Sequence, residues 1–290
     1  MEVKAIAKNF DLWSLLKISR PVNLFILAFA QVMTAVFLVE TNQQGLPVLQ
    51  DFKLYLLILS TVMVAAAGYM INDYYDVKID FVNKPKEVII GRSMKRRVAL
   101  LYHSFLNFTA IGLGWLISPR IALVIFSAAF LLWLYSNLLK RLPFIGNFTV
   151  ALLTGSSIWL VSFYYQKSEL LVLTYAIFAF FINLIREIIK DIEDRDGDRR
   201  HGCKTLPIVL GFRNTKKVIF AIALIFVCSI LLVTFKINNP KLYYYFGILS
   251  ILFMIFLYRI YTADRKKHFT QLSLLNKALM FAGILSMIFL

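Results

Sequence analysis

The chain has 290 residues, of which 60% are hydrophobic, and a mean hydropathy of +0.72. No soluble domain of this length needs so much apolar surface, so the class is integral membrane protein. The net charge of +16 does not indicate a nucleic-acid partner, because the basic residues flank apolar runs and form no single exposed stripe.

Residues 1–19 place Lys4, Lys8 and Lys17 around Phe10, Leu12, Trp13, Leu15 and Leu16. With no apolar core or small-residue cleavage site, this reads as an interfacial amphipathic helix, not a signal peptide. Runs of about 20 apolar residues, the length that crosses a bilayer, fall near 21–40, 53–75, 97–117, 120–139, 146–165, 170–190, 215–235, 243–261 and 272–290. The fold class is therefore all-α, a bundle of nine transmembrane helices, with Ser118-Pro119-Arg120 as a tight hairpin. The 7 Pro and 12 Gly form no linker, so 1–290 is expected to be one membrane-embedded domain.

Lys and Arg in the connecting loops set the orientation. With the N-terminus in the cytoplasm, 25 of the 32 fall on the cytoplasmic side and 5 on the other, Arg186 and Lys277 lying inside spans. That places the protein in the cytoplasmic membrane with its C-terminus outside.

Asp73, Asp76 and Asp80 follow the second span; Asp191, Asp194 and Asp198 follow the sixth. Both sets read Asp-x2-Asp-x3-Asp, offset by 118 positions. If helical, each set groups three carboxylates within roughly a 60° arc. Carboxylates at the end of an apolar helix are costly unless they have a task. Facing one another, two such clusters suit hard divalent cations held against a phosphate-rich ligand, since Mg²⁺ is commonly shared between carboxylates and substrate phosphates. A solvated charge run is the bland alternative, and it suits Glu193 and Asp196, which fall off the shared face. The two regions are expected to form Asp-rich loops, about 73–97 and 191–214, on the cytoplasmic side.

Around these motifs stand further candidates. Lys190 can reach a diphosphate or pair locally with Asp194. Arg92, after Gly91, offers a forked donor. Asn72 lies one turn before Asp76, and Asn23 one turn into the first span; either Asn can contact a ligand or bridge helices. Tyr135 and Lys140 close the fourth span as substrate contacts or interfacial anchors. His103, His201 and His268 are scattered, and Cys203 and Cys228 suggest neither a disulfide nor a thiolate metal site.

Asn72-Asp73-Tyr74-Tyr75-Asp76-x3-Asp80, followed by Asn83-Lys84-Pro85 and Gly91-Arg92, resembles the first motif of the UbiA superfamily of intramembrane prenyltransferases. Lys190-Asp191-x2-Asp194-x3-Asp198 is similar to the second. The Arg20-Pro21-x-Asn23 opening and the segment from Tyr135 to Asn147 fit as well. Lys84 departs from the family, which usually has Arg there, so the bidentate fork is lost at that position. The stretch from Arg186-Glu187 to Thr205-Leu206-Pro207-Ile208 is most similar to the members that act on geranylgeranylglyceryl phosphate.

The resemblance implies a helical bundle around a central cavity, capped by the Asp-rich loops, and transfer of a prenyl group from its diphosphate with Mg²⁺. It implies metal ligands at Asp73, Asp76, Asp80, Asp191, Asp194 and Asp198, with Asp76, Asp194 and Lys190 carrying catalysis. Asn23, Asn72, Arg92, Tyr135, Lys140 and Lys190 would bind substrate. Arg20, Lys140 and Arg141 are the cations that would meet a phosphorylated acceptor. An aromatic acceptor, as in quinone synthesis, is the alternative within the enzymes; a cation-coupled transporter is the alternative of another class, although transporters usually bind at the bilayer midplane.

Overall fold

The computed structural model describes residues 12–39, 47–167, 170–237 and 239–290. Its helices are α1 (Leu12–Ile18), α2 (Pro21–Thr34, extended by a π turn over Ala35–Val39), α3 (Phe52–Asn83) and α4 (Arg96–Ile117). Then follow α5 (Pro119–Asn137), α6 (Ile145–Tyr165), α7 (Leu170–Arg200), α8 (Leu206–Val209), α9 (Gly211–Ile237), α10 (Pro240–Thr262) and α11 (Lys266–Leu285). Among the described residues, nine helices are long and apolar enough to cross a membrane, and they coincide with the nine expected spans. The fold is all-α. Of the amphipathic N-terminal segment, Lys4, Lys8 and Phe10 lie outside the described residues, while Leu12–Ile18 is helical with Trp13 exposed.

Local chemistry explains the boundaries. Asp51 caps α3 by accepting a hydrogen bond from the Lys53 amide at 2.9 Å, satisfying one of the orphan donors of a first turn. Ser118 caps α5 in the same way, accepting from Ile121 N with Pro119 at the first helical position. The α4–α5 hairpin closes tightly there because Gly114 has no side chain: a Cβ would stand 3.1 Å from Ala122 Cα.

One expectation needs correction. The Asp motifs are not loops but the last turns of α3 and α7, which run past the apolar segments to Asn83 and Arg200. Hydropathy falls where the charges begin, but a helix stops only where the backbone is broken. Pro85 disfavours helical geometry at Lys84, which leaves at φ −141°. Gly202, at φ +74°, takes the left-handed conformation that ends α7. The connections thus begin at residues 84 and 201.

The chain resolves into two compact units. The first comprises residues 12–29, 51–140 and 196–203. In it α3, α4 and α5 pack on one another, with Gly68 of α3 directly against Leu132 of α5. Ile18, Met70, Ile90, Met94 and Ala99 join α1, α3, the turn over residues 89–94 and α4 in one apolar cluster. The second unit holds the remaining described residues. Its core joins Ile185, Ile188, Ile189 and Ile192 of α7 to Phe226 of α9, Phe256 of α10 and Phe269 of α11. Gly155 lets α6 meet α7: a Cβ there would stand 2.7 Å from the Ala176 carbonyl.

Candidate active site

Tyr69, Asn72, Asp73, Asp76, Asp80 and Asn83 fall within roughly 100° of the α3 surface, by the 3.6-residue period. Separate segments of the first unit reach this stripe. At the α1–α2 corner, Arg20 adopts a left-handed φ of +54°, a backbone cost that persists only where the surroundings enforce it. From there its Nη2 donates to Asp73 Oδ1 at 2.8 Å, and its guanidinium lies 4.8 Å from the Tyr69 ring centre. Asn23 Nδ2 donates to the Tyr69 hydroxyl at 3.2 Å.

One turn further along, Asp76 takes two donors. Asn72 Nδ2 donates to its Oδ2 at 2.9 Å, and Lys140, in the short turn after α5, forms an ion pair with its Oδ1. Both partners of that ion pair are largely buried, with side-chain exposures of 9% and 15%. Low-dielectric surroundings make an unpaired carboxylate costly, and this ion pair offsets that cost. At the end of α3, Asn83 Oδ1 accepts from the Gly197 amide at 2.9 Å. A Cβ on Gly197 would lie 2.4 Å from the Asn83 amide, so only glycine permits this approach. The segment bearing Asp198 is thereby fixed to the end of the first motif.

On α7 the isoleucines of the core occupy one side and the polar residues the other, about 180° away. Within the second unit, Asn147 Nδ2 of α6 donates to Asp191 Oδ2 at 2.8 Å, and Asn183 Nδ2 donates to Thr154 Oγ1 at 2.6 Å. Between these two levels, Arg186 Nη1 bonds Glu187 Oε1 at 2.7 Å and Lys190 Nζ bonds Glu187 Oε2 at 3.1 Å. Asp194 is half-buried on the same face.

The structure sorts the remaining candidates. Lys190 pairs locally, with Glu187 rather than with Asp194. Arg92 is exposed, its guanidinium 4.9 Å from the Phe81 ring centre, off the carboxylate stripe by one residue. Tyr135 is half-buried in the last turn of α5, and Asp80 and Asp198 are half-buried on α3 and α7. Glu193 corrects the reading of a solvated charge: it is buried and accepts from Thr270 Oγ1 of α11 at 3.0 Å. Asp196 is exposed. Asn147, Asn83 and Thr270 were not singled out from sequence as site residues. Asn147, a polar residue opening an apolar span, carried the same signal as Asn23.

The donor chemistry fits a hard divalent cation. Carboxylate and amide oxygens are the ligands such an ion takes, and within the first unit Asn72 Oδ1, buried beside Asp76, has no hydrogen-bond partner. Among the described residues, no three His, Cys, Asp or Glu side chains converge on one point, and Arg20 and Lys140 hold Asp73 and Asp76.

Residues 24–284 match the model of the UbiA prenyltransferase family. The chain is 37% identical over 205 residues to the digeranylgeranylglyceryl phosphate synthase of Thermococcus gammatolerans, covering 70% of this chain and 71% of that one. A solved structure of digeranylgeranylglyceryl phosphate synthase in membranes superposes with a TM-score of 0.64 at 23% identity, over 96% of this chain and 97% of the other. A UbiA homologue from Archaeoglobus fulgidus bound to DMAPP and Mg²⁺ superposes with a TM-score of 0.65 at 17% identity, covering 96% and 100%. These matches decide between enzyme and transporter. A match over nearly the whole length, together with the paired motifs on α3 and α7, means that the chain belongs to the UbiA prenyltransferase family, as a multi-pass membrane enzyme.

Proposed function

We propose that this enzyme transfers a geranylgeranyl group from its diphosphate to the free hydroxyl of geranylgeranylglyceryl phosphate, forming an ether bond in the presence of Mg²⁺. The observation that carries the acceptor assignment is the 37% identity to a relative named digeranylgeranylglyceryl phosphate synthase. The α7 wording from Arg186 to Asp198 agrees with it. Bound Mg²⁺ would neutralise the diphosphate and stabilise it as a leaving group, held by Asp73, Asp76, Asp80, Asp191, Asp194 and Asp198. Lys140, paired with Asp76, would supply positive charge toward the departing oxygens. Apolar surroundings keep water from the allylic carbon. The acceptor hydroxyl attacks that carbon as the C–O bond to the diphosphate breaks; the diphosphate leaves with the bonding electron pair and takes up the hydroxyl proton.

The assay incubates purified enzyme and Mg²⁺ with geranylgeranyl diphosphate and a panel of acceptors, with products identified by mass spectrometry. The expected product is digeranylgeranylglyceryl phosphate. Exclusive prenylation of an aromatic ring would move the enzyme to quinone synthesis.

In this reading both motifs open to the cytoplasm and Leu290 lies outside. Cysteine labelling in cells tests this, in a variant whose buried Cys203 and exposed Cys228 are replaced. A cysteine in place of exposed Lys86 should resist an impermeant thiol reagent until the membrane is opened. One in place of exposed Lys241 should react in intact cells. The reverse pattern inverts the topology.

A further inference from the structure

Arg186 is an arginine inside a membrane span, and nothing assigned so far uses it. Its side chain is 12% exposed, and it shares the single carboxylate of Glu187, 7% exposed, with Lys190. Two cations therefore share one carboxylate. Arg186 Nε is buried and donates to no protein atom. Asp191 does not correct this balance: by the helical period it lies roughly 140° round α7 from Arg186, and it is occupied by Asn147. Asn183, Arg186 and Lys190 instead fall within roughly 60° of one another. A buried donor without an acceptor is unfavourable unless a ligand completes it, and two cations beside one carboxylate favour an anion there.

From this geometry we infer that Arg186, supported by Lys190, binds the phosphate monoester of the acceptor lipid, and so selects a phosphorylated acceptor. The inference rests on the acceptor reading above and names the residue that enforces it. The guanidinium is the group suited to the task, since its fork meets two phosphate oxygens at once. Arg186 lies about 7.5 Å along the helix axis from Asp191, five residues at the α-helical rise, which separates this phosphate from the carboxylates that serve the diphosphate. In a glycerol phosphate ether the free hydroxyl is on the carbon next to the phosphate-bearing one. Anchoring the phosphate therefore places the nucleophile. Of the cations that the sequence offered for this phosphate, Arg20 and Lys140 are engaged with Asp73 and Asp76, and Arg141 is exposed.

The test is direct binding to detergent-purified protein, with no turnover required. The probes are geranylgeranylglyceryl phosphate, the alcohol geranylgeranylglycerol, inorganic phosphate, and geranylgeranyl diphosphate with Mg²⁺. For Arg186→Gln, Kd for the phosphate lipid should rise about tenfold or more, while Kd for the alcohol and for the diphosphate stays at the wild-type value. Arg186→Lys, which keeps the charge and the Glu187 pair, should fall between. Inorganic phosphate should compete weakly, and less so in Arg186→Gln. Unchanged affinity for the phosphate lipid in both variants overturns the inference, as does an equal loss for the alcohol or a loss confined to the diphosphate. A wild-type protein that binds lipid phosphate and alcohol equally would remove the acceptor reading, and this inference with it. A wild type that prefers the phosphate together with a variant that keeps the preference would remove the Arg186 assignment alone.

Discussion

The two Asp-x2-Asp-x3-Asp motifs share one spacing and one helical setting, yet their carboxylates are compensated in different ways. On α3, charge compensation arrives from distant chain: Arg20 and Lys140, 53 and 64 positions from their partners, hold Asp73 and Asp76. On α7 the cations belong to the helix itself, where Arg186 and Lys190 flank Glu187, and Asp191 is met by a neutral amide. A motif whose ion pairs come from other elements depends on tertiary structure for its charge compensation. Cations that share a helix with a carboxylate can meet it as soon as the helix forms. The first motif should therefore be the more fragile under substitution of its partners, and both should be equally intolerant of losing an aspartate.

The largest effects test that last point. Asp76→Ala and Asp194→Ala should each lower transfer by on the order of 10³-fold or more, the several kcal/mol expected of a metal-assisted step, while the proteins stay folded in detergent. EDTA should stop the wild-type reaction and Mg²⁺ restore it. Wild-type turnover in either variant would remove that aspartate from the proposed metal ligands.

The contrast between the motifs is sharpest at the lysines. Lys140→Ala strands the carboxylate of Asp76 and should cost about 3 kcal/mol, the typical penalty for breaking one side of a buried pair. Lys190→Ala leaves Glu187 with Arg186 and should cost no more than about 1 kcal/mol. Thermal melting in one detergent compares them, and equal drops would erase the distinction drawn here.

Next comes the junction of Asn83 with Gly197. Gly197→Ala should destabilise by about 1–3 kcal/mol through overpacking. Shortening Asn83 to Ala should recover part of that loss, so that a double-mutant cycle shows coupling. Strict additivity would mean that the two residues do not press on each other. The smallest effect is expected at Thr270→Val, which removes one hydrogen bond to Glu193 and should cost about 1–2 kcal/mol. A shift indistinguishable from zero would return Glu193 to the solvated role suggested by its sequence position.

Composition and hydropathy were enough to specify nine membrane spans, and spacing both aspartate motifs, because apolar length and residue spacing are local properties; the family followed from the resemblance of the motif residues. Those local properties misplaced the ends of α3 and α7. Hydropathy follows side chains, whereas termination follows the backbone, at Pro85 and Gly202, and both signals were legible once separated. The partners were not legible. Nothing near Asp76 in sequence names Lys140, nothing near Asp191 names Asn147, and Glu193 stands among five other acidic residues between 187 and 198 with no mark of burial. Which cation meets which carboxylate depends on where helices cross. Crossings are set by packing details such as the missing side chains of Gly68, Gly155 and Gly197, whose consequences appear only when the chain is folded. The sequence by itself determined the membrane class and the two aspartate motifs; tertiary structure decided how the charges within them are met, because a buried charge is stabilised by the neighbours it meets in space.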